Sequence, residues 1–434
     1  MAQYPITLGT VAAGANYALS LAPALLSITP ATLTVIADDA TSRAGAPAPD
    51  FTYRATGFVN GDGLSVLSGL VLTTTANEDS TIGTYPIAVT SGLASNYSLN
   101  RVNGTLTLTV STVLVGPDSF SVGADAGGTD VVKLYRADGS LKNSYIPFPG
   151  FFGGIRTATG DVNGDSVADL AVGTGPGTTA TVQVIDGATG AILLDFQPFD
   201  DFIGGVFVSL GDMDGDKKAE LVVTPDVGGG PRVQIFHGGD LTLQKNFYGI
   251  DDPKFRGGAR TALGDINGDG FADLVISAGF GGGPRISILD GKQLSQDRYR
   301  FLSPDFFVFS EALRDGTFVA VGDVNGDGFG DLVVGAGPGG GPRVVVLSGK
   351  TLINQGSVAA TRAPLASFFS GDISTRNGVF VAARNLDNDG RSDVIVGGGS
   401  LAIAYRGRAL AHGITERIFE LGADTGATGG VFVG

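Results

Sequence analysis

The chain has 434 residues and no cysteine, so it is long enough for two or three domains with ample core, and disulfide and thiolate chemistry are excluded. Its formal net charge of −15 argues against a nucleic-acid or anionic-membrane partner. Seventy glycines and many segments rich in Val, Ile, Thr and Phe favour short strands and tight turns over helices, and no apolar run reaches membrane-spanning length.

Residues 1–110 are rich in Thr, Ala and Ser. The stretch 18–29 is apolar but broken by Pro23, and it lacks the preceding basic segment of a signal peptide. Alternation in Ala31-Thr-Leu-Thr-Val-Ile36 and Gly104-Thr-Leu-Thr-Leu-Thr-Val110 predicts half-buried strands. The region also repeats itself. Tyr4-Pro-Ile-Thr-Leu8 and Asn16-Tyr-Ala-Leu19 match Tyr85-Pro-Ile-Ala-Val89 and Asn96-Tyr-Ser-Leu99, with offsets of 81 and 80 residues. This predicts that residues 1–29 are the C-terminal remnant of a preceding module, with an upstream portion missing, and that 30–110 form a complete one. Residues 30–110 resemble the MBG module of bacterial surface proteins through Leu33-Thr-Val-Ile-Ala-Asp-Asp-Ala40, Gly57-Phe-Val-Asn-Gly-Asp62, Gly83-Thr-Tyr-Pro-Ile87 and Gly104-Thr-Leu-Thr-Leu108. The family's Tyr-Gly element is here Arg43-Ala-Gly45. The resemblance implies a small β-sandwich acting as a spacer or stalk. Asn60-Gly-Asp62 imitates a metal loop, but Phe58 and Val66 stand where its first and ninth ligands belong.

The second part, 111–434, carries five copies of an Asp-rich nine-residue loop. Positions 1, 3, 5 and 9 are Asp161, Asn163, Asp165 and Asp169; Asp212, Asp214, Asp216 and Glu220; Asp265, Asn267, Asp269 and Asp273; Asp323, Asn325, Asp327 and Asp331; and Asn385, Asp387, Asp389 and Asp393. Position 1 recurs after 51, 53, 58 and 62 residues, while Pro231, Pro284 and Pro342 each follow it by 19, so the length variation falls after the third strand of each unit. Four strands per unit, read around Asp265 as 258–263, 273–277, 285–289 and 298–302, predict a β-propeller. Asp118-Ser-Phe-Ser-Val-Gly123 matches a second strand and Gly429-Gly-Val-Phe-Val-Gly434 a first strand. Together they make a split sixth unit and predict ring closure by the C-terminal strand. Five blades with stray ends is the alternative.

Oxygen-only ligands on a short, Gly-turned loop suit a hard cation, and Ca²⁺ best. Positions 1, 3 and 5 present alternate side chains to one point, and position 9 closes the shell. Position 7 would offer its backbone carbonyl, which leaves its side chain free: Val167, Lys218, Phe271, Phe329 and Arg391. Gly at position 4 or 6 permits the sharp turn. The five loops hold 16 of the 43 acidic residues, and five Ca²⁺ would bring the net charge from −15 to −5. Glu220 is longer than Asp and Asn385 removes a charge, so these two sites depart from the others. The expected role is structural, each ion pinning a hairpin against carboxylate repulsion.

Residues from about 115 to 434 resemble the FG-GAP repeats of integrin α-chain propellers and their bacterial relatives, as in Phe152-Gly-Gly154 and Gly335-Ala-Gly-Pro338. The resemblance implies that each Asp loop joins the first two strands of a blade and holds Ca²⁺, and that ligands bind the opposite face. Integrin propellers have seven blades, and six here is a departure. Gly228-Gly-Gly-Pro-Arg232, Gly281-Gly-Gly-Pro-Arg285 and Gly339-Gly-Gly-Pro-Arg343 fall at the turn on that opposite face. Arg232, Arg285 and Arg343 either hold an anionic ligand there or serve the blades themselves. Thr178-Thr-Ala180 and Gly127-Gly-Thr129 stand at the matching turns elsewhere.

Enzyme signatures are thin. His237 and His412 are expected at the surface, and no P-loop, nucleophile elbow or zinc motif is present. Phe148, Phe151 and Phe152, Phe196, Phe199 and Phe202, and Phe306, Phe307 and Phe309 are expected to pack between blades. The expectation is therefore an all-β chain: a six-bladed calcium-binding β-propeller closed by the C-terminal strand, with an N-terminal β-sandwich module. As a monomeric extracellular or cell-surface fragment it would bind a protein or glycan. It would have about five Ca²⁺ sites, no catalysis, no nucleic-acid partner and no membrane span. A polysaccharide lyase or hydrolase and a purely structural surface component are the alternatives.

Overall fold

The computed structural model describes residues 2–43, 49–77, 80, 83–109, 119–422 and 430–434. Ala44, Gly45, Val110, Asp118 and Gly429, on which parts of the sequence reading fall, lie outside the described residues. The chain divides into two compact units, Met1–Thr112 and Val113–Gly434.

In the first unit, Tyr53–Thr56, Ala31–Ala37 and Tyr97–Val102 form one sheet, and Ala40–Arg43, Gly104–Thr109, Gly83–Ala94 and Leu67–Thr74 form a second. The predicted alternation holds: Leu33, Val35 and Ala37 on one strand and Leu106 and Leu108 on another are buried, with Ile87 and Val89 completing the core. Tyr97 Oη accepts from Val59 N at 3.0 Å and donates to Asp62 Oδ2 at 2.7 Å, so Asp62 serves as a hydrogen-bond acceptor inside the module. The repeat partner Tyr17 is 80 % exposed where Tyr97 is 8 % exposed. Every residue from Gln3 to Pro30 is exposed, with Ala2–Pro5 and Leu25–Ile28 paired only to each other.

The second unit holds six four-stranded antiparallel sheets among the described residues. In chain order, sheets two to six begin with Ile155–Gly160, Val206–Gly211, Ala259–Gly264, Thr317–Gly322 and Phe380–Arg384. Each continues outward through three consecutive strands. In the first sheet, the C-terminal Val431–Val433 takes that leading place and pairs with Phe120–Ala124, as Val122↔Val433 and Ala124↔Val431. The leading strands touch in series, and Val431–Val433 touches both Ile155–Gly160 and Phe380–Arg384. Second strands such as Asp169–Thr174 and Leu332 to Ala336 are buried on both faces, which is why they read as apolar runs instead of alternating. Fourth strands such as Leu243–Tyr248 are half exposed.

Two expectations are corrected. Sheets four to six carry short helices between their third and fourth strands: Gly291–Ser295, Gly349–Gln355 with Ser357–Arg362, and Gly407–Ala411. Asp290 and Ser348 cap the first two by accepting from Gln293 N and Thr351 N. The variable length thus falls after the third strand, but as helix. Because of that helix, the last strand of sheet four is Phe301–Phe307, later than 298–302.

Deleting Gly430–Gly434 should expose the edge of Phe120–Ala124 and remove the buried Val431 and Phe432. The calorimetric midpoint should drop by roughly 10 °C; a shift of only about 2 °C would show that this strand is dispensable.

Candidate functional site

Each Asp loop joins the first and second strands of sheets two to six. Position 9 is the first residue of the second strand: Asp169, Glu220, Asp273, Asp331 and Asp393. At position 1 the carboxylate organises the turn. Asp265 Oδ1 accepts from Gly268 N at 2.7 Å and Asp269 N at 3.0 Å, and its Oδ2 accepts from Gly270 N at 2.7 Å. Asp161 and Asp323 make the same three bonds in their own loops, and Asp212 makes those to positions 4 and 6. Positions 4 and 6 both take the left-handed conformation in all five loops. Glycine fills most of these places, but Ser166 (φ 66), Lys217 (φ 70) and Asn388 (φ 60) adopt it too. The turn therefore needs both positions, where the sequence suggested one or the other.

The position 9 carboxylates are buried, and each is held by at least two backbone donors, with Asn267 N and Asn325 N adding a third at Asp273 and Asp331. Asp169 Oδ2 accepts from Val162 N at 2.8 Å and its Oδ1 from Gly187 N at 2.9 Å. Glu220 repeats this with Met213 N and Gly238 N, Asp273 with Ile266 N and Gly291 N, Asp331 with Val324 N and Gly349 N, and Asp393 with Leu386 N and Gly407 N. One oxygen thus secures position 2 of the loop, and the other secures the glycine that leaves the third strand. Burial raises Asp169 above the ordinary carboxylate range and pushes Glu220, Asp273, Asp331 and Asp393 up to about 7, against the lowering pull of these amides.

Negative charge concentrates at positions 1, 3 and 5. Carboxylate oxygens of Asp212, Asp214 and Asp216 lie within 4.8 Å of one another. In the fifth loop Asn385 Oδ1 and Asp389 Oδ2 are buried and accept no hydrogen bond, while the buried Asp387 Oδ2 is ion-paired with Arg406. Burial first, then the charge of Asp387, raises Asp389. Buried oxygens of this kind are costly unless a cation meets them, so the donor set fits a hard divalent ion. The residue that follows the third strand tunes this charge. Asn163 Nδ2 donates to Asp186 Oδ2 at 3.3 Å, whereas Asp214 faces His237 Nε2 at 3.5 Å and Asp387 faces Arg406 Nη1 at 2.9 Å. Asn at position 3 is matched by Asp186, Asp290 or Ser348, and Asp by His237 or Arg406. His237 is therefore half-buried between Asp214 and Asp240, deeper than the surface place expected of it.

The loops are joined to one another. The position 8 amides of Ala219, Ala272, Gly330 and Ser392 donate to the position 1 carbonyls of the preceding loops, Asp161, Asp212, Asp265 and Asp323, at 2.5–2.7 Å. Position 7 is not free, which corrects the sequence reading. A Cβ built on the position 4 glycines Gly164, Gly215, Gly268 and Gly326 would meet Lys218, Phe271, Phe329 and Arg391, the position 7 side chains of the next loops, at 2.7–3.4 Å. These long side chains cover the neighbouring turn. Val167 is short, and the first sheet before it carries no such loop.

The three motif arginines open third strands, and each binds within its own sheet. Arg232 Nε donates to Asn246 Oδ1 at 2.6 Å, Arg285 pairs with Asp305, and Arg343 Nη2 donates to Ser367 Oγ at 2.9 Å. No hydrogen bond, ion pair or ring contact between described residues links the three to one another. His412 follows the helix Gly407–Ala411 as its C-cap and is exposed, as expected. Of the phenylalanines, Phe199 and Phe306 are buried between sheets and Phe148 packs edge-on to Phe151, but Phe152 and Phe307 are exposed. Sequence reasoning missed the residues five places before position 1, Arg156, Phe207, Arg260, Phe318 and Phe380. Their constant offset was the available signal.

With this geometry in place, comparison with known proteins defines the class. The chain carries an MBG domain (YGX type), matched at residues 33–107, and FG-GAP repeats, matched at 257–289 and 316–348. Integrin alpha-5 of Xenopus laevis is 30% identical over 242 residues, and integrin alpha-8 of Gallus gallus 28% identical over 235. Each alignment takes in 49% of this chain and 22% of the integrin, so the chain spans under a quarter of these relatives. Among solved structures, the Dos1 propeller aligns with a TM-score of 0.37 and 14% identity over 67% of this chain and 66% of that one. No described helix is long and apolar enough to cross a membrane.

Two glycine substitutions separate turn strain from loop-to-loop packing. Gly270→Ala meets no atom and should cost about 1–2 kcal/mol for its backbone conformation alone. Gly215→Ala also strikes the Phe271 ring and should cost at least about 1 kcal/mol more. Equal losses in urea unfolding would refute the covering role of position 7.

Proposed function

We propose that Val113–Gly434 is a closed six-bladed β-propeller whose five Asp loops each hold a structural Ca²⁺. In this reading the protein is an extracellular binding or adhesion module, preceded by a β-sandwich spacer. The fifth loop carries the metal reading, with buried side-chain oxygens of Asn385 and Asp389 at positions 1 and 5 that accept no hydrogen bond, on either side of the Asp387 carboxylate that faces Arg406. The converging carboxylates of Asp212, Asp214 and Asp216 support it. A bound Ca²⁺ supplies divalent charge that offsets three or four carboxylates per loop. Positions 1, 3 and 5 would hold it, with the position 7 carbonyl. Each position 9 carboxylate has at least one oxygen that accepts a single amide and keeps a lone pair for it. Asn385 and Arg406 reduce the negative charge of the fifth loop, so its affinity is expected to be the lowest.

The similarity to integrin α chains over about half of this chain supports binding of a protein ligand, and a glycan ligand and a monomeric state belong to the same proposal. Ligand contact by Arg232, Arg285 and Arg343 belongs to the same proposal, although each already has a cross-strand partner.

EGTA should lower the melting midpoint and excess Ca²⁺ restore it, each site adding about 4 kcal/mol when Ca²⁺ exceeds its Kd a thousandfold. An unmoved midpoint would overturn the metal reading. Saturable binding on a panel of glycans and matrix proteins, without cleavage of polysaccharides tested in parallel, supports a binding module; released oligosaccharide would make it an enzyme. Mutating the three arginines together to Ala tests them as ligand contacts, and unchanged affinity would confine them to the sheets.

A further inference from the structure

The residues five places before position 1 meet at one point. Phe432 takes the equivalent place in the first sheet through its pairing opposite Gly123. Ring centroids of Phe380 and Phe432 are 3.9 Å apart, and those of Phe318 and Phe380 are 4.2 Å apart. Phe207 of the third sheet reaches Phe318 of the fifth at 6.2 Å and Phe432 of the first at 6.1 Å. Contact between non-adjacent sheets means that these side chains converge where the leading strands surround a common axis. Two of the six places hold arginine. Arg156 Cζ lies 4.8 Å from the Phe432 centroid and 5.1 Å from that of Phe207, and Arg260 Cζ lies 3.9 Å from Phe318 and 5.6 Å from Phe207.

Phenyl faces thus cover the guanidinium planes and leave the N–H edges to be satisfied. Arg156 Nη2 donates to Asp226 Oδ2 at 2.6 Å, and Arg260 Nη1 donates to the carbonyls of Asp315 and Thr317 at 3.0 and 3.3 Å. Arg156 Nε and Nη1 and Arg260 Nε are buried with no acceptor. The residues are only 5% and 6% exposed. Burial, more than the repulsion from Arg156, brings Arg260 down to about 10, which leaves it charged at neutral pH. Asp226 is the one carboxylate in contact with either group among the described residues, while Asp125 and Asp315 attract Arg260 without touching its side chain through theirs. Arg156 and Arg260 are among the residues lining a cavity of about 110 Å³, room for several water-sized groups.

We propose that this axial cavity is an anion site that takes a small organic carboxylate, held edge-on by Arg156 and Arg260 and walled by Phe207, Phe318, Phe380 and Phe432. Three free N–H donors suit the two oxygens of a carboxylate. Sulfate or phosphate would leave further oxygens against phenyl rings, at a desolvation cost. The site depends on the leading strands and on no metal, so it is independent of the calcium reading.

The test uses the full chain in excess CaCl2 at constant ionic strength, with propionate as probe in calorimetric titration and sulfate and ethylammonium as controls. Saturable 1:1 propionate binding, at least tenfold tighter than sulfate and absent for ethylammonium, is expected. Arg260→Met, which leaves the Arg156–Asp226 pair intact, should weaken it at least tenfold, while R343A leaves it unchanged. Should Arg260→Met fail to fold, Arg260→Lys keeps the charge, loses the Nε donor and should also bind at least tenfold more weakly. No propionate binding at 50 mM, equal sulfate binding, or wild-type affinity in the Arg260 variant would overturn the assignment.

Discussion

A buried carboxylate at the start of the second strand in sheets two to six is the constraint on which the second unit rests. Asp169, Glu220, Asp273, Asp331 and Asp393 accept from the Asp loop on one side and from the turn leaving the third strand on the other. Three strands of each sheet are thereby tied through one side chain. Such a group is stable in the interior only with all its donors in place, so its loop and turn must form together. That requirement accounts for the constant nine-residue loop beside third-to-fourth connections that range from a tight turn to two helices.

The same loops join one sheet to the next. Position 8 donates to the preceding loop's backbone, and position 7 covers its glycine, from Lys218 through Arg391. The first sheet has no loop and is tied in differently, by the pairing of Val431–Val433 with Phe120–Ala124 and by the stacked Phe380 and Phe432. Local charge also balances along the series: a carboxylate at position 3 of the loop occurs only where the third strand is followed by His237 or Arg406. The electrostatic cost of each loop is thus set by a residue about twenty places away in the chain.

Two chemically opposite regions result. One end of the leading strands carries concentrated carboxylate oxygens suited to a hard cation. Near the other end, two guanidinium groups are stacked among phenyl rings with donors to spare. Residues of one strand a few positions apart serve both, as Arg260 and Asp265 do, so the scaffold that orders the acidic loops also sets the axial arginines.

Much of this was legible in the sequence. Five loops at matched offsets revealed the repeat, the strand register and the place of the insertions. The split unit at the chain ends predicted the pairing of Val431–Val433, because a repeat leaves complementary remnants. Helices in the longer connections were not legible, since segments such as Gly291–Ser295 are too short for a periodic signal and depend on caps at Asp290 and Ser348. Position 7 looked indifferent because its partner lies in another repeat. Arg156 and Arg260 looked like ordinary strand residues, and only the meeting of six leading strands buries them and leaves their N–H groups unpaired. The sequence by itself determined which residues bear oxygen ligands and at what spacing, since those are local to one turn of chain. The tertiary structure alone decided which side chains face one another across sheets, because that depends on contacts between residues 50 to 300 places apart.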